Sequence, residues 1–496
     1  MIQKEIIKNR HVIARLAAPH NSLLHGEFNS TKYSNESVDN QTSLLKNQYS
    51  WLREKNVFTA IEFISSAFLH GDISKAQDAF VFLKNELSLR SDIPILLQQL
   101  LIDENLTLFP EVSDNQEGVN KLRKLLIKYP WNSIRWVELA WHHLLLGNHY
   151  KAEKALLVAH YISPNTRYVI RALSRFYIHT NNFEKALYYA TKNDIIKHDP
   201  WVLSNQIAIS NMCKKTSRHT KNGIILLENT SIHPAALSEL ASELGTMDYI
   251  AGNTKKGRKK FQQSCIKPHE NAMAQISWVN RNIGHAGNHE FMYTHTDNDY
   301  EAQIYTLMTE KPDWKKIFEI TQKWVAYQPF SKPPIYFGST IAASLLDDYS
   351  SAMNLLSAGF AINSNDNIII NNMIYTYTLM GEKKKANNML PLINNKKLTD
   401  YEKVCLLATK GLIEYRFGNV QKGKTLYIEA ELLSKKVNKD LYYTALAHHA
   451  REEKRIGNNI DYFISILKKG TETSKDSFLC AYIKKNNLLN EKSTAV

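Results

Sequence analysis

"YPWNSIRWVELAWHHLLLGNHYKAEKALLVAHYISP", residues 129–164, places three tryptophans and four histidines in thirty-six positions. That density suits a metal cluster or an aromatic pocket, and it equally suits large side chains filling the space between helices. Spacing separates the two readings. Trp136 is followed at three by Leu139, at four by Ala140 and at seven by His143; then come Ala152, Leu156, Ala159 and Pro164. The first group recurs on one face of a helix and the second on one face of another, with the proline ending the second. Small residues let two antiparallel helices approach, and large ones fill the gap between them. His142, His143, His149 and His160 share no i, i+4 ligand spacing on one helix face, so they read as packing, as do Trp131 and Trp136.

The same pattern returns along the chain. One period downstream it falls on Ile170, Leu173, Ser174, Tyr177, Ala186 and Ala190, and one upstream on Ile102, Leu106, Phe109, Gly118, Leu122, Leu125 and Pro130. Ala60, Phe63, Ala67, Ala76, Phe80 and Leu83 carry it near the start. After a weak copy ending at Pro234 it returns at Leu244, Gly245, Gly257, Phe261 and Ser264. Tyr336, Ala343, Ala352 and Leu356 follow, then Ile370, Met373, Tyr377, Ala386 and Leu390, then Leu407, Gly411, Gly423, Tyr427 and Ala430. A last copy starts at Leu441. This series resembles the tetratricopeptide repeat, a helix pair with the pattern W-x2-L-G-x2-Y…A-x3-F…P over about 34 residues. The resemblance covers residues 57 to 470, although few copies hold every signature residue and the glycine at the eighth place is usually replaced. It implies an all-α, tetratricopeptide-like α-solenoid of about ten helix pairs, with an irregular break between two arrays.

Composition agrees with a folded helical chain. Of 496 residues 44% are apolar and 22% charged, and 18 glycines and 13 prolines are too few for many tight turns. Cys213, Cys265, Cys405 and Cys480 form no CxxC pair and read as reduced thiols. The N-terminus has no apolar core of a secretory signal, and no run approaches a membrane span, so a cytoplasmic location is expected. A net charge of +14 points to an acidic partner.

Residues 1–56 are expected to be a partly flexible extension, with a short amphipathic helix over 2–17 and a polar stretch after it. The first array should span 57–268, an irregular segment with a helix-like piece around Trp278 should span 269–298, and the second array 299–496, ending in "DSFLCAYIKKNNLLN" as a capping helix. His285, His289, His295, Asp297 and Asp299 cluster in the irregular segment but match no zinc or calcium spacing, so no metal is expected.

No phosphate-cradling glycine loop, GxSxG elbow or kinase signature is present, and the repeats leave no room for a fused catalytic domain. The chain is therefore expected to be a non-enzymatic scaffold or regulator without a cofactor, working through its surfaces. The resemblance implies that first-helix positions two, five, nine, twelve and thirteen face the groove. These are Trp141, Tyr168, Arg171, Arg175 and His179 in the first array and Asn371, Tyr375, Tyr415 and Arg416 in the second. Aromatics beside arginines would give contact area and a bidentate anion grip for a protein or peptide. The Lys/Asn set with which some family members clamp chaperone tails is not evident.

A second reading is nucleic-acid binding along a basic edge. "KKTSRHTK" (Lys214, Lys215, Arg218, Lys221), "KKGRKK" (Lys255, Lys256, Arg258, Lys259, Lys260) and "KKK" (Lys383, Lys384, Lys385) occupy similar places in their repeats. Aromatics do not interleave with these lysines as single-strand stacking requires. A third reading is a sensor whose arrays close on a small peptide.

Overall fold

A computed structural model describes residues 40–55, 59–60, 63–64, 67, 73–86, 115–128, 130–131, 133–229, 232, 234–266, 268, 270–282, 299–309, 312–395, 398–473 and 477–489. The expected N-terminal helix, Ile102, Leu106, Phe109, His285, His289, His295 and Asp297 lie outside the described residues. Among the described residues there are 23 α-helices and no strand. None of the helices is long and apolar enough to cross a membrane. The described residues are all-α and arranged as tetratricopeptide-like helix pairs.

The described chain divides into two compact units, one reaching Tyr305 and the other starting at Thr306. The first holds α1 (Asn40–Arg53), α2 (Gln77–Glu86), α3 (Asn115–Lys128), α4 (Ser133–Leu145), α5 (His149–Ile162), α6 (Arg167–His179) and α7 (Phe183–Thr191). It continues with α8 (Pro200–Met212), α9 (Thr220–Glu228), α10 (Pro234–Ile250), α11 (Thr254–Ser264) and α12 (Glu270–Asn282). The boundary falls inside α13 (Tyr300–Thr309). The second unit holds α14 (Trp314–Tyr327), α15 (Lys332–Ser344), α16 (Tyr349–Ile362), α17 (Asn367–Leu379) and α18 (Lys383–Met389). After these come α19 (Asp400–Phe417), α20 (Val420–Val437), α21 (Lys439–Arg455), α22 (Asp461–Thr473) and α23 (Ser477–Lys485).

The two helices of a pair differ in burial, as their sequences require. First helices are enclosed by their own partner and by the neighbouring pairs, so α6 is buried continuously from Arg167 to Tyr177 and α8 from Pro200 to Ser210. Second helices bury one stripe of small or medium residues: Ala152, Ala155, Leu156 and Ala159 in α5, and Ala186 with Ala190 in α7. The turn between them repeats one device. A residue just beyond the first helix takes a positive φ, and at Gly147, Asn181, Lys214 and Gly252 its own amide and the next bond back to the last helical turn. Glycine serves at Gly147 and Gly252, whereas Asn181, Lys214 and Asp347 hold the same conformation at φ 55° to 58°. At Asn181 the bonds run from its own amide to Ile178 O and from Asn182 N to Tyr177 O. Side-chain caps start the following helices: the Asp199 carboxylate accepts from Trp201 N and Val202 N, and Asp366 from Ile368 N and Ile369 N.

In two pairs the backbones nearly touch. A Cβ on Gly257 would lie 2.5 Å from the Tyr249 ring and 3.0 Å from Gly245 O. One on Gly423 would lie 2.7 Å from the Tyr415 ring and 3.0 Å from Gly411 O. These are the glycine pairs that the repeat spacing singles out.

Two segments sit where the sequence left room for more than one reading. α12, in the segment expected to be irregular, packs Ile276 and Val279 against Tyr249 and Phe261 as a further first helix would. At the C-terminus, α23 buries Leu479, Tyr482 and Ile483 against Leu446, Ala450 and Leu467. It also turns back across the second unit: Lys485 Nζ donates to Ser344 O at 3.1 Å, and Phe478 meets the Trp314 ring edge-on at 5.9 Å.

Candidate functional site

In the first unit the expected groove residues are enclosed. Tyr168, Arg171 and Arg175 are buried on α6. Arg171 Nη2 lies 3.2 Å from Glu239 Oε2, and its guanidinium sits 5.1 Å over the Trp201 ring. Trp141, Tyr168, Arg175 and His179 are likewise engaged within the chain. This set forms no exposed anion grip.

The second unit differs. Its first helices α15, α17, α19 and α21, with α23 crossing them, line a half-open cavity of about 140 Å³. Phe337, Tyr401, Val404, Leu441 and Phe478 supply apolar wall; Asn371, Tyr375, Thr409 and Thr444 supply polar groups. Asn371 and Tyr375 are thus brought together one helical turn apart. Asn371 is 7% exposed, and its Oδ1 is buried with no hydrogen-bond partner. A buried amide oxygen left so costs about 1–3 kcal/mol, a cost found mainly where a ligand or other function repays it. The Tyr375 hydroxyl sits between Arg451 Nη1 at 3.1 Å and Ser344 Oγ at 3.3 Å.

Behind the wall lies an ionic network from α19, α20 and α21. Fully buried Glu452 accepts from Arg416 Nε at 2.8 Å and Nη2 at 3.0 Å, from Arg451 Nε at 2.8 Å and from Arg455 Nε at 2.9 Å. Burial pushes its carboxyl up, but Arg451 and Arg416 outweigh that and hold it below the ordinary carboxylate range. Tyr415 donates to Glu453 and lies 3.0 Å from His449 Nε2, whose Nδ1 is 2.7 Å from Glu431 Oε1. Tyr415 and Arg416, expected in the groove, therefore belong to this supporting layer. Arg451 packs over Tyr375 at 5.9 Å and Tyr482 at 5.8 Å, and its Nη2 is buried with no partner.

His448 lines the cavity, with Nδ1 3.0 Å from the Tyr482 hydroxyl. Burial first, and then the charge of Arg451, press its pKa down from 6.5 to about 3. An unfolded chain takes up this proton below pH 6.5 while the fold refuses it until about pH 3, so stability drains as pH falls through that window. His448→Gln should flatten the decline of the urea midpoint between pH 6.5 and 4; an unchanged slope would show that this imidazole titrates normally.

No family model and no curated protein matches the sequence. Among solved structures there are distant likenesses. The human IFIT1 dimer with PPP-AAAA matches at 14% identity and a TM-score of 0.37, over 78% of this chain and 96% of that one. Yeast Tom70 matches at 12% identity and 0.32, over 90% and 95%. Naa15/Naa10 bound to HypK-THB matches at 12% and 0.24, over 99% and 85%. Likenesses this distant carry no argument about partner or activity.

The residues expected on a basic edge fall in both units. Lys214, Lys221, Lys255, Lys256, Arg258 and Lys259 are exposed in the first unit. Lys215 pairs with Glu184, Lys260 with Asp248, and Arg218 bonds to His219. Lys383, Lys384 and Lys385 belong to the other unit, where Lys383 donates to Phe417 O and Lys385 pairs with Glu382. The sequence reading passed over Arg451, Glu452 and His448. They stand close to one repeat beyond Tyr415 and Arg416, but a step of the length from Leu407 to Leu441 lands on His449 and Ala450, so the groove rule does not name them. Among the described residues no group of three or more His, Cys, Asp or Glu could hold a metal.

Proposed function

We propose that the chain is a non-enzymatic binding scaffold that holds an extended segment of a partner protein in the cavity of the second unit. The observation that carries this is Asn371. A buried primary amide with an unpartnered oxygen, set in a wall of mixed apolar and uncharged polar side chains, is matched by a peptide, whose N–H meets the oxygen while an apolar side chain fills the space. Helices from four successive pairs contribute, so a segment of several residues has contacts along its length.

The test is a random peptide library displayed on phage and selected on the immobilised full-length protein. Thr444 is only half-buried at the cavity wall, so Thr444→Trp obstructs the space with little damage to the core. Peptides enriched by the wild type should be lost on this variant and kept when Lys255, Lys256, Arg258 and Lys259 are reversed in charge. Enrichment of the same peptides by wild type and Thr444→Trp would overturn the assignment.

A further inference from the structure

The cavity has a second unsatisfied group behind its wall, and its chemistry narrows what can enter. No charged side chain lines the space among the described residues. Its one titratable imidazole, His448, stays neutral at neutral pH. In the layer behind it Arg416, Arg451 and Arg455 all converge on the single carboxylate of Glu452, while Glu453 and Glu431 face Tyr415 and His449. Arg451 has an unused hydrogen-bond donor, because Nε serves Glu452, Nη1 serves Tyr375, and Nη2 has no partner. Tyr375 and His448 of the cavity wall lie beside this guanidinium, one by hydrogen bond and the other three residues away on α21, with Tyr482 and Glu452 on its other sides.

The aromatic lining could suggest a cage for a cation. Arg451 argues against it, since its guanidinium already lies over the Tyr375 and Tyr482 rings and would repel a second positive charge. An anion gains from the same arrangement. It must reach past the tyrosine wall on a slender arm while its backbone stays near Asn371.

Building on the peptide reading above, we infer that the occupant is an acidic segment in which a glutamate side chain pairs with Arg451 and an adjacent large apolar side chain fills the cavity. Arg451 Nη2 supplies the donor, the Asn371 oxygen takes a backbone N–H, and the apolar neighbour packs on Phe337 and Phe478.

Fluorescein-labelled heptapeptide pools, N-acetylated and C-amidated, provide the test. They hold Glu, Gln or Lys at the centre, an equimolar Leu/Phe mixture beside it and equimolar mixtures elsewhere. A fourth pool has central Gln and a free C-terminal carboxylate. By polarisation against the full-length wild type, the Glu pool should bind about tenfold more tightly than the Gln pool, the scale of one charge-assisted hydrogen bond. Site-resolved alkylation should show that the Glu pool shields Cys405, a cavity-lining thiol, more than the Gln pool does. Arg451→Met should remove the preference; since that variant can misfold, the wild-type comparison and the Cys405 readout stand without it. Equal binding of Glu and Gln pools, or preference for Lys, overturns the inference and leaves the peptide reading intact. So does tighter binding of the free-carboxylate pool, which would make the occupant a chain terminus. A Glu preference without protection of Cys405 also overturns it, placing the acidic peptides elsewhere on a basic chain. Absence of binding by every pool removes both readings.

Discussion

Replacing Glu452 with alanine is expected to destabilise the second unit by about 3–5 kcal/mol, the usual cost of stripping the partner from buried charges. Three arginines from α19 and α21 bond to this one fully buried carboxylate. Removing it leaves Arg451, already short of one partner, with a second donor unmet. Arg416 and Arg455 are more exposed and can turn toward water, so the loss concentrates on Arg451. Urea unfolding followed by circular dichroism at neutral pH measures it, and a loss below about 1 kcal/mol would mean that water satisfies the whole cluster. The wild type should show the same dependence by titration. Because the folded carboxyl lies below its ordinary value, its contribution is full above that value and is lost as pH falls through the folded pKa.

Gly423→Val should cost about 3 kcal/mol by overpacking, with Gly423→Ala milder but in the same direction. The new Cβ would lie 3.0 Å from Gly411 O and 3.1 Å from Tyr415 N, both backbone atoms of the facing helix. The Tyr415 ring at 2.7 Å cannot swing away freely, because its hydroxyl is tied to Glu453 and His449. Better helix propensity returns less than about 1 kcal/mol. A melting temperature equal to that of the wild type would show that α19 and α20 separate easily.

What could be read in the sequence follows from the range of the interactions. Helix pairing is local and periodic, so Ala152, Leu156 and Ala159, or Gly411 and Gly423, announce it by spacing alone. The cavity is built from contacts over much longer range. Arg451 reaches Tyr375 two repeats earlier, and Lys485 reaches Ser344 across 141 positions when α23 folds back. No repeat pattern encodes that return. The groove rule therefore placed Asn371 and Tyr375 on the cavity and put Tyr415 and Arg416 there too, although their side chains turn to Glu453 and Glu452. In the first unit it named Tyr168, Arg171 and Arg175, which the fold encloses; spacing gives a residue's direction but not what stands opposite it.

The uncharged lining of the cavity has a kinetic consequence. A chain of net charge +14 attracts an acidic segment from a distance, and that attraction is screened over about 8–10 Å at ordinary ionic strength. Once seated, the segment meets neutral walls and one guanidinium that solvent ions scarcely reach. Added salt should thus slow association while leaving residence time nearly constant, so that the rate of arrival and the lifetime of the complex answer to different parts of the molecule.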